Sequence, residues 1–308
     1  MSTHAVVASA TARASRRRRP SGMERAKARA GWVLLAPALL HSAIFIALPG
    51  VILVVLSFID FKLLGVPDFV GFDNYRKLFA DANFGPAVLN TLFYTVVVVP
   101  GGMAIALLVA LGLNQKLRLR PLFRTAFYLP VVTSTVAVAT VWEWVYNPQS
   151  GLANQILSFF GLARSGWLTD PNIALPALAV VGLWQGLGTK MVLYLGGLQG
   201  VSPELLEAAR LDGASPWQVF WNVTWPALRP VHFFVVVTSI ATSFQAFDLV
   251  YVTTQGGPIN ATRVLAYDIF QNAFGNFEFG QAAAETMVML VVLASIIYLA
   301  RRTQRESD

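Results

Sequence analysis

The sequence predicts an all-α membrane protein with six transmembrane helices, and three observations lead to this prediction. Of the 308 residues, 56% are apolar and only 13% are charged, a balance far from that of soluble domains. Six apolar runs are each long enough to cross a bilayer as a helix. The basic residues lie mainly beside the ends of these runs that would share one side of the membrane.

The N-terminal part of the chain consists of a basic tail followed by the first apolar run. Residues 1–30 are small, polar and basic, and we expect the first half of this tail to be disordered. The run 32–59 is much longer than the hydrophobic region of a signal peptide and has no evident cleavage site. We therefore expect it to remain as the first span, kinked at Pro37 and Pro49. Within a transmembrane domain of residues 31–303, the other spans are predicted at about 87–113, 122–145, 173–198, 227–250 and 281–300.

The positive charges predict the orientation of these spans. Six spans place both chain ends on the same side, and Lys and Arg concentrate on the cytoplasmic side of membrane proteins. Of the 23 Lys and Arg residues, 17 lie in the tail, in the turn from Lys116 to Arg124, in the stretch 202–230 or at the C-terminus, whereas 5 lie in the opposite loops. The tail, the stretch 202–230 and the C-terminus are therefore predicted to be cytoplasmic.

The polar stretch 202–230, between the fourth and fifth spans, is predicted to form two short helices with a sharp turn. Ser202 is a good N-cap residue, and Gly213 can adopt the left-handed conformation that closes a helix. Ser215 and Gln218 have the spacing of a capping box, which starts a second helix. A bent projection of this kind is suited to binding by a partner outside the bilayer.

The same stretch carries a sequence pattern. Glu207-Ala208-Ala209 is followed by Asp212-Gly213-Ala214 and then by a hydrophobic spacer. This order resembles the EAA loop of ABC importer permeases, E-A-A-x-x-D-G-A followed by L-P, although Trp225 stands where that family usually has Leu. In the family the loop is a coupling helix that docks into a cleft of a cytoplasmic ATPase. The coupling residues that the resemblance implies are Glu207, Ala208, Ala209, Asp212, Gly213, Ala214, Phe220 and Pro226.

The fourth and fifth spans contain polar residues, among them Trp184 and Gln185 in the fourth and a group of Ser and Thr in the fifth. Such groups either hydrogen-bond between helices or line a path for a sugar, which needs hydroxyl and amide partners together with an aromatic platform. The two spans resemble those of the maltose-type permease. Their chemistry differs from the aromatic and Asn pattern of that protein, which implies a different substrate. The substrate-path residues that the resemblance implies are Gln185, Gly186, Thr189, Ser239, Thr242, Ser243 and Ala246.

The resemblance covers the chain from the first to the sixth span and is to the carbohydrate-uptake branch, with permeases of the maltose F and glycerol-phosphate A type. It implies the type I ABC importer permease fold, a location in the bacterial inner membrane, and import of a sugar or glycerol-phosphate compound by alternating access. The implied partners are membrane lipid, a second permease subunit in a heterodimer, two cytoplasmic ATPase subunits and an extracytoplasmic substrate-binding protein. ATP and Mg would bind to the ATPases, so we expect no cofactor, metal ion or catalytic site on this chain.

Motifs of other functional classes are missing from the sequence. In the run from Gly182 to Lys190 the Thr precedes the Lys, which is the wrong order for a phosphate-binding loop. No catalytic motif surrounds the three His residues, the chain has no cysteine, and the basic residues do not indicate nucleic-acid binding. A membrane-embedded enzyme is therefore disfavoured, and an ion-coupled secondary transporter is the main alternative to an ABC permease.

Two further sets of residues in the spans are informative. Ionisable groups are costly in lipid, and we expect Lys190 and Glu285 to face other helices or a wet cavity, with Glu143 and Asp248 near the outer interface. Pairs of glycines separated by three residues predict close helix packing. These pairs are Gly182 with Gly186 and Gly196 with Gly200.

Overall fold

The computed structural model describes residues 22–61, 66–115 and 118–305, which are mostly helical. The chain divides into two units, one ending at Leu53 and the other beginning at Val54. Among the described residues, five helical segments are long and apolar enough to cross a membrane, and a sharply bent pair of helices makes a sixth if the pair is counted as one span. The predicted all-α membrane class is therefore confirmed.

One long helix accounts for the described part of the first unit and continues to Leu56. This helix covers most of the span predicted at about 32–59 but stops at Leu56, and the chain then enters a strand. Residues 1–21 of the predicted tail lie outside the described residues, and the rest of the tail begins the helix. Its apolar side chains are exposed, as expected for a helix that faces lipid or another chain. The helix has three sections: α1, Gly22–Ser42; a π-helical turn, Ala43–Ala47; and α2, Leu48–Leu56.

The second unit begins with a small hairpin that the sequence did not predict. Strand β1, Ile59–Asp60, pairs antiparallel with β2, Asp68–Phe69, and helix α3, Asp73–Ala80, follows. Asn74 is buried and donates hydrogen bonds to the carbonyls of Ser57 at 3.0 Å and Ile59 at 2.9 Å. Because buried backbone carbonyls need partners, Asn74 fixes the hairpin against α3.

The remaining helices carry the membrane spans and their connections. They are α4, Phe84–Leu113; α5, Arg120–Val132; α6, Thr135–Val145; α7, Leu152–Phe159; α8, Ala174–Gln199; α9, Pro203–Leu211; α10, Pro216–Val219; α11, Trp225–Ala227; α12, Arg229–Phe244; α13, Asp248–Thr253; α14, Leu265–Phe270; and α15, Phe279–Arg305. Helix α8 packs along α4 and α5, and α12 packs against α4, α8 and α15. The helices α4, α8 and α15 are continuous and lie close to the predicted second, fourth and sixth spans.

The third span is broken, although the sequence predicts a single span over 122–145. Helices α5 and α6 meet at an angle of 100°, with Thr133 in an extended conformation between them. Pro130 has no N–H to donate to the preceding turn, and the β-branched residues after it have low helix propensity. The Thr133 hydroxyl also donates to the Leu129 carbonyl at 2.9 Å, which helps to end α5.

The fifth span, predicted as 227–250, is also interrupted. Helix α12 ends at Phe244 and α13 begins at Asp248, so residues 245–247 are not helical. Near the end of α12 the hydroxyls of Thr238 and Thr242 donate to carbonyls of the preceding turn, at 2.7 and 3.0 Å. Such bonds bend helices and compete with their backbone ladder.

Side chains of α4 hold the loop that follows α13. The Asn90 amide donates to the carbonyls of Asn260 at 3.1 Å and Arg263 at 2.9 Å. The backbone N–H of Leu265 donates to the Thr91 hydroxyl at 2.8 Å. These bonds satisfy backbone groups of an irregular segment, which lipid could not do.

Close helix contacts in the second unit occur at glycines, but only partly at the predicted ones. A Cβ on Gly182 would collide with the hydroxyl of Tyr94 on α4, in agreement with the prediction. The prediction for Gly196 and Gly200 is wrong. Among the described residues, a Cβ on Gly196 would have no neighbour within 4 Å, and a Cβ on Gly200 would contact only carbonyl oxygens of its own helix. The close contacts lie instead at Gly188, where a Cβ would be 2.6 Å from the Phe127 carbonyl oxygen, and at Gly197.

These distances predict opposite effects of the same substitution on α8. Gly188→Ala should destabilise the protein by about 1–3 kcal/mol, because α5 must move to accommodate the methyl group. Gly196→Ala should be neutral or stabilising, because alanine is the better helix former and the position is open. Thermal unfolding of the detergent-purified proteins measures both effects, and equal melting temperatures for the two variants would contradict the packing.

Candidate translocation path and coupling segment

A cavity of about 440 Å³ lies among the membrane helices of the second unit. Helices α4, α5, α6, α8, α12 and α13 contribute to it, as does the break between the last two. Most of its polar lining groups are hydroxyls and amides. The lining residues with polar side chains are Tyr94, Thr135, Gln185, Thr189, Lys190, Thr238, Ser239, Thr242, Ser243, Gln245 and Asp248.

The structure brings together all seven residues that the resemblance implied for a substrate path. They come from α8, from α12 and from the break after α12, and each of them lines the cavity. The break in the fifth span explains how Ala246 reaches it, since this residue lies in the non-helical segment. The break in the third span likewise places Thr135 at the first position of α6, where its hydroxyl accepts a hydrogen bond from Gln185 at 3.1 Å.

The hydroxyl groups of the cavity can still bind a solute. The Thr238 and Thr242 hydroxyls donate their protons to backbone carbonyls, but each oxygen retains acceptor capacity. Ser239 and Ser243 are buried on the same helix. A hydrogen-bonding wall of this kind matches the hydroxyl groups of a polyol better than it matches an apolar compound.

Some cavity residues were not identified from the sequence. Tyr94 is the aromatic side chain of the lining, and its contact with the backbone of Gly182 depends on the pairing of α4 with α8. Trp184, which was expected to contribute an aromatic platform, packs edge-on against Trp142 at 5.7 Å and is not part of the lining. The small residue Gly182 is the signal that could have indicated a bulky neighbour on α4.

The ionisable residues of the spans have separate surroundings. Lys190 is 7% exposed and, together with Asp248, lines the cavity. Glu143 is half-buried on α6 and does not line it. Glu285 is fully buried on α15, where it accepts a hydrogen bond from Asn272 at 3.0 Å. Glu285 therefore faces other helices, as expected.

The stretch 202–230 has the local structure that the sequence predicts. Helix α9 ends before Gly213, which has a φ of 79°. Ser215 and Gln218 form the capping box of α10, with bonds of 2.7 and 3.4 Å. The expected cap at Ser202 differs, because its hydroxyl donates to the Glu204 carboxylate at 2.6 Å and accepts no hydrogen bond from a backbone N–H of the helix.

This coupling segment, residues 202–230, exposes both charge and apolar surface. Glu207 is exposed on α9, Leu211 is 88% exposed, and Trp217 is 69% exposed on α10. Large apolar side chains at a helical surface outside the membrane spans indicate contact with another protein. Of the predicted coupling residues, Ala208, Asp212 and the turn glycine are also exposed, whereas the others are half-buried: Ala209, Ala214, Phe220 and Pro226.

A row of aromatic rings connects the coupling segment to the membrane helices. Trp221 contacts Trp217 at 5.5 Å and Trp225 at 5.1 Å between ring centroids. Trp225 contacts His232 of α12 at 4.2 Å, and the His232 Nδ1 is hydrogen-bonded to the hydroxyl of Tyr194 on α8 at 3.0 Å. The segment therefore contacts α12 directly and is connected to α8 through His232.

Comparison with known proteins decides the class of this membrane protein. Residues 102–305 match the family model described as binding-protein-dependent transport system inner membrane component. The chain belongs to this family. It is a multi-pass inner-membrane permease of an ABC importer, a transport component and not an enzyme.

Individual relatives agree with this assignment over nearly the whole permease. It is 34% identical over 272 residues to a probable ABC transporter permease protein of Pyrococcus horikoshii, covering 87% of this chain and 93% of that protein. It is 34% identical over 282 residues to the lactose transport system permease protein LacF of Rhizobium radiobacter, covering 90% of this chain and 94% of that protein. A solved bacterial ABC transporter that imports the acidic polysaccharide alginate has a chain with 25% identity and a TM-score of 0.80, covering 92% of this permease and 98% of that chain. The predicted importer permease fold is thus confirmed, and the family argues against an ion-coupled transporter.

The cavity geometry predicts the effect of apolar substitutions. Ser243→Leu and Gln185→Leu should each reduce uptake by the assembled importer about tenfold or more, because they fill the cavity and remove hydrogen-bonding groups. Ser295→Leu is the matched control, since Ser295 is exposed on α15 and bonds only to its own helix, at the Val291 carbonyl. Solute uptake and complex assembly are measured for all three, and normal uptake by both cavity variants would place the path elsewhere.

Proposed function

We propose that this permease forms the translocation path for a sugar or glycerol-phosphate-type solute that an extracytoplasmic binding protein delivers. The observation that carries the proposal is the cavity lined by hydroxyl and amide groups in the middle of the membrane helices. Relatives named for transport of lactose and alginate support the same solute class. The family description, which names a binding-protein-dependent system, supports the delivery step.

The coupling segment is proposed to dock into a separate cytoplasmic ATPase. Its two short helices are held in a fixed angle by Gly213 and by the capping box of α10, and a fixed angle suits a rigid docking element. The exposed Glu207 can form a charge-assisted contact with a basic residue of the ATPase. Exposed Leu211 and Trp217 supply apolar anchors of the kind that dominate interface energies.

In the assembled importer this chain pairs with a second permease as a heterodimer, and two ATPase subunits bind ATP and Mg. Both chain ends and the coupling segment lie in the cytoplasm, which the excess of positive charge on that side supports. Closure of the ATPases moves the docked segments. The contacts of Trp225 with His232, and of His232 with Tyr194, carry this movement to α12 and α8, and the cavity changes from inward to outward access.

Two substitutions in the coupling segment test the proposal. Glu207→Lys should weaken ATPase binding by reversing a charge, with a loss of roughly 1.5–3 kcal/mol for the contact. Gly213→Val should misdirect α10, because a β-branched residue at a φ of 79° costs on the order of 1 kcal/mol or more. The measurements are the amount of ATPase that copurifies from membranes and the rate of ATP-driven uptake.

The control for these variants is Glu278→Lys, which reverses the charge of a half-buried acid outside the coupling segment and outside the cavity lining. It should retain both the ATPase and uptake. Normal copurification and uptake in Glu207→Lys and Gly213→Val together would show that residues 202–230 are not the docking element.

A further inference from the structure

The cavity contains a buried positive charge whose role the proposed function does not explain. Lys190 is 7% exposed, lines the cavity, and has its ammonium 3.5 Å from the Gly186 carbonyl oxygen, at the limit of a hydrogen bond. Within the described residues, no carboxylate oxygen lies within 4.0 Å of the Lys190 ammonium nitrogen, the distance limit for an ion pair. Burying an ammonium group away from bulk water without an anionic partner costs free energy. A lysine in this position beside a solute cavity therefore indicates a functional role.

Two glycines provide the space that holds this side chain in the cavity wall. A Cβ on Gly102 of α4 would lie 3.2 Å from the Lys190 Cε, and one on Gly186 would lie 2.9 Å from its Nζ. The aliphatic part of the side chain therefore runs along α4, and the ammonium stays beside its own helix. Neither glycine has a positive φ, so the backbone conformation does not require glycine at these positions. A larger residue at either position would instead crowd the Lys190 side chain.

The second charged residue of the cavity does not neutralise the lysine by direct contact. Helices α8 and α12 run in opposite directions, since Tyr194 bonds to His232 and Gly197 packs against Val231 near the coupling segment. Lys190 therefore lies towards the coupling-segment end of the lining. Asp248 follows the break after α12, towards the opposite end, and it is exposed.

We propose that the transported solute is an anionic carbohydrate, a polyhydroxy compound whose carboxylate or phosphate group binds the ammonium of Lys190. This inference rests on the proposed function and narrows its solute class. Hydroxyl groups of the solute would then bind the Ser, Thr and Gln side chains along α8 and α12, and Asp248 would accept hydrogen bonds from hydroxyls at the far end. Lys190, and not Asp248, determines the sign of the charge on the solute. The exposed Asp248 can be solvated by water without a ligand, whereas the buried Lys190 cannot.

The test compares three solutes in proteoliposomes that contain the whole importer and its binding protein. Lactose is the neutral probe, digalacturonate carries carboxylates, and glycerol 3-phosphate carries a phosphate. Initial uptake over a range of concentrations is measured for the wild type, Lys190→Met and Lys190→Arg. The matched control is Lys77→Met, which removes an exposed lysine of α3 far from the cavity lining.

The wild type should import at least one of the two anions, and the anion that it imports identifies the charged group. Lys190→Met should reduce the uptake efficiency for that anion about tenfold or more, the effect of losing a charge-assisted bond. Lys190→Arg should retain most of it, and Lys77→Met should retain all of it. Copurification of the second permease is recorded in parallel, because loss of that subunit in Lys190→Met would assign the lysine to subunit pairing and overturn the inference.

Other outcomes also contradict the inference. Import of lactose but of neither anion would exclude an anionic solute while leaving the proposed sugar importer intact. Equal loss of lactose and anion uptake in Lys190→Met would show that the lysine does not recognise charge. Import of none of the three probes would contradict the proposed solute class and this inference together.

Discussion

Close packing of α8 against its neighbours is the constraint on which the rest of the structure depends. Helices in lipid gain little from the hydrophobic effect when they associate, so their contacts rely on small residues and interhelical hydrogen bonds. On α8 the glycines at 182, 188 and 197 meet α4, α5 and α12 in turn. Gln185, Thr189 and Lys190 of the same helix line the cavity, and its C-terminal end leads into the coupling segment. One helix therefore fixes the positions of three others, forms the cavity wall and connects it to the segment on which an ATPase would act.

The two broken spans show how a polar cavity is built in a membrane protein. Irregular backbone in a bilayer is tolerated where it is buried in protein or lines a wet cavity. The break at Thr133 places Thr135 beside Gln185, and the break after Phe244 places Gln245 to Phe247 between two cavity-lining helices. In both spans the hydroxyls that bond to the preceding turn weaken the helix at the point where polar groups are needed. In the fifth span Thr242, whose hydroxyl bonds to the preceding turn, also lines the cavity, whereas Thr133 interrupts the third span without lining the cavity.

Much of the fold could be predicted from the sequence because its signals are local or compositional. Long apolar runs predict the continuous spans. Gly213 and the capping box of Ser215 and Gln218 predict the two helices of the coupling segment. The breaks at Thr133 and after Phe244 were missed because an apolar run with β-branched or hydroxyl residues has the same hydropathy whether or not it is one helix. Tyr94 was missed for a different reason: its place in the cavity depends on which helix pairs with α8, and hydropathy does not encode helix pairing. The seven implied path residues converge on one cavity, but that Lys190 and Asp248 line the same cavity could not be predicted, because this depends on how the helices pack.

In the proposed mechanism the coupling segment controls access to the cavity through α8 and α12. The chain has no cysteine, so a single cysteine at position 243 can report access in an importer whose other chains lack reactive thiols. The measurement is the rate of alkylation of this residue by a membrane-impermeant maleimide, applied to each side of the membrane, without nucleotide and with ATP trapped on the ATPase. We predict reaction from the cytoplasmic side without nucleotide and from the outer side in the trapped state, and no change of side when Glu207→Lys is also present. If the cysteine reacts from the same side in both nucleotide states while the coupling segment is intact, the proposed mechanism is contradicted.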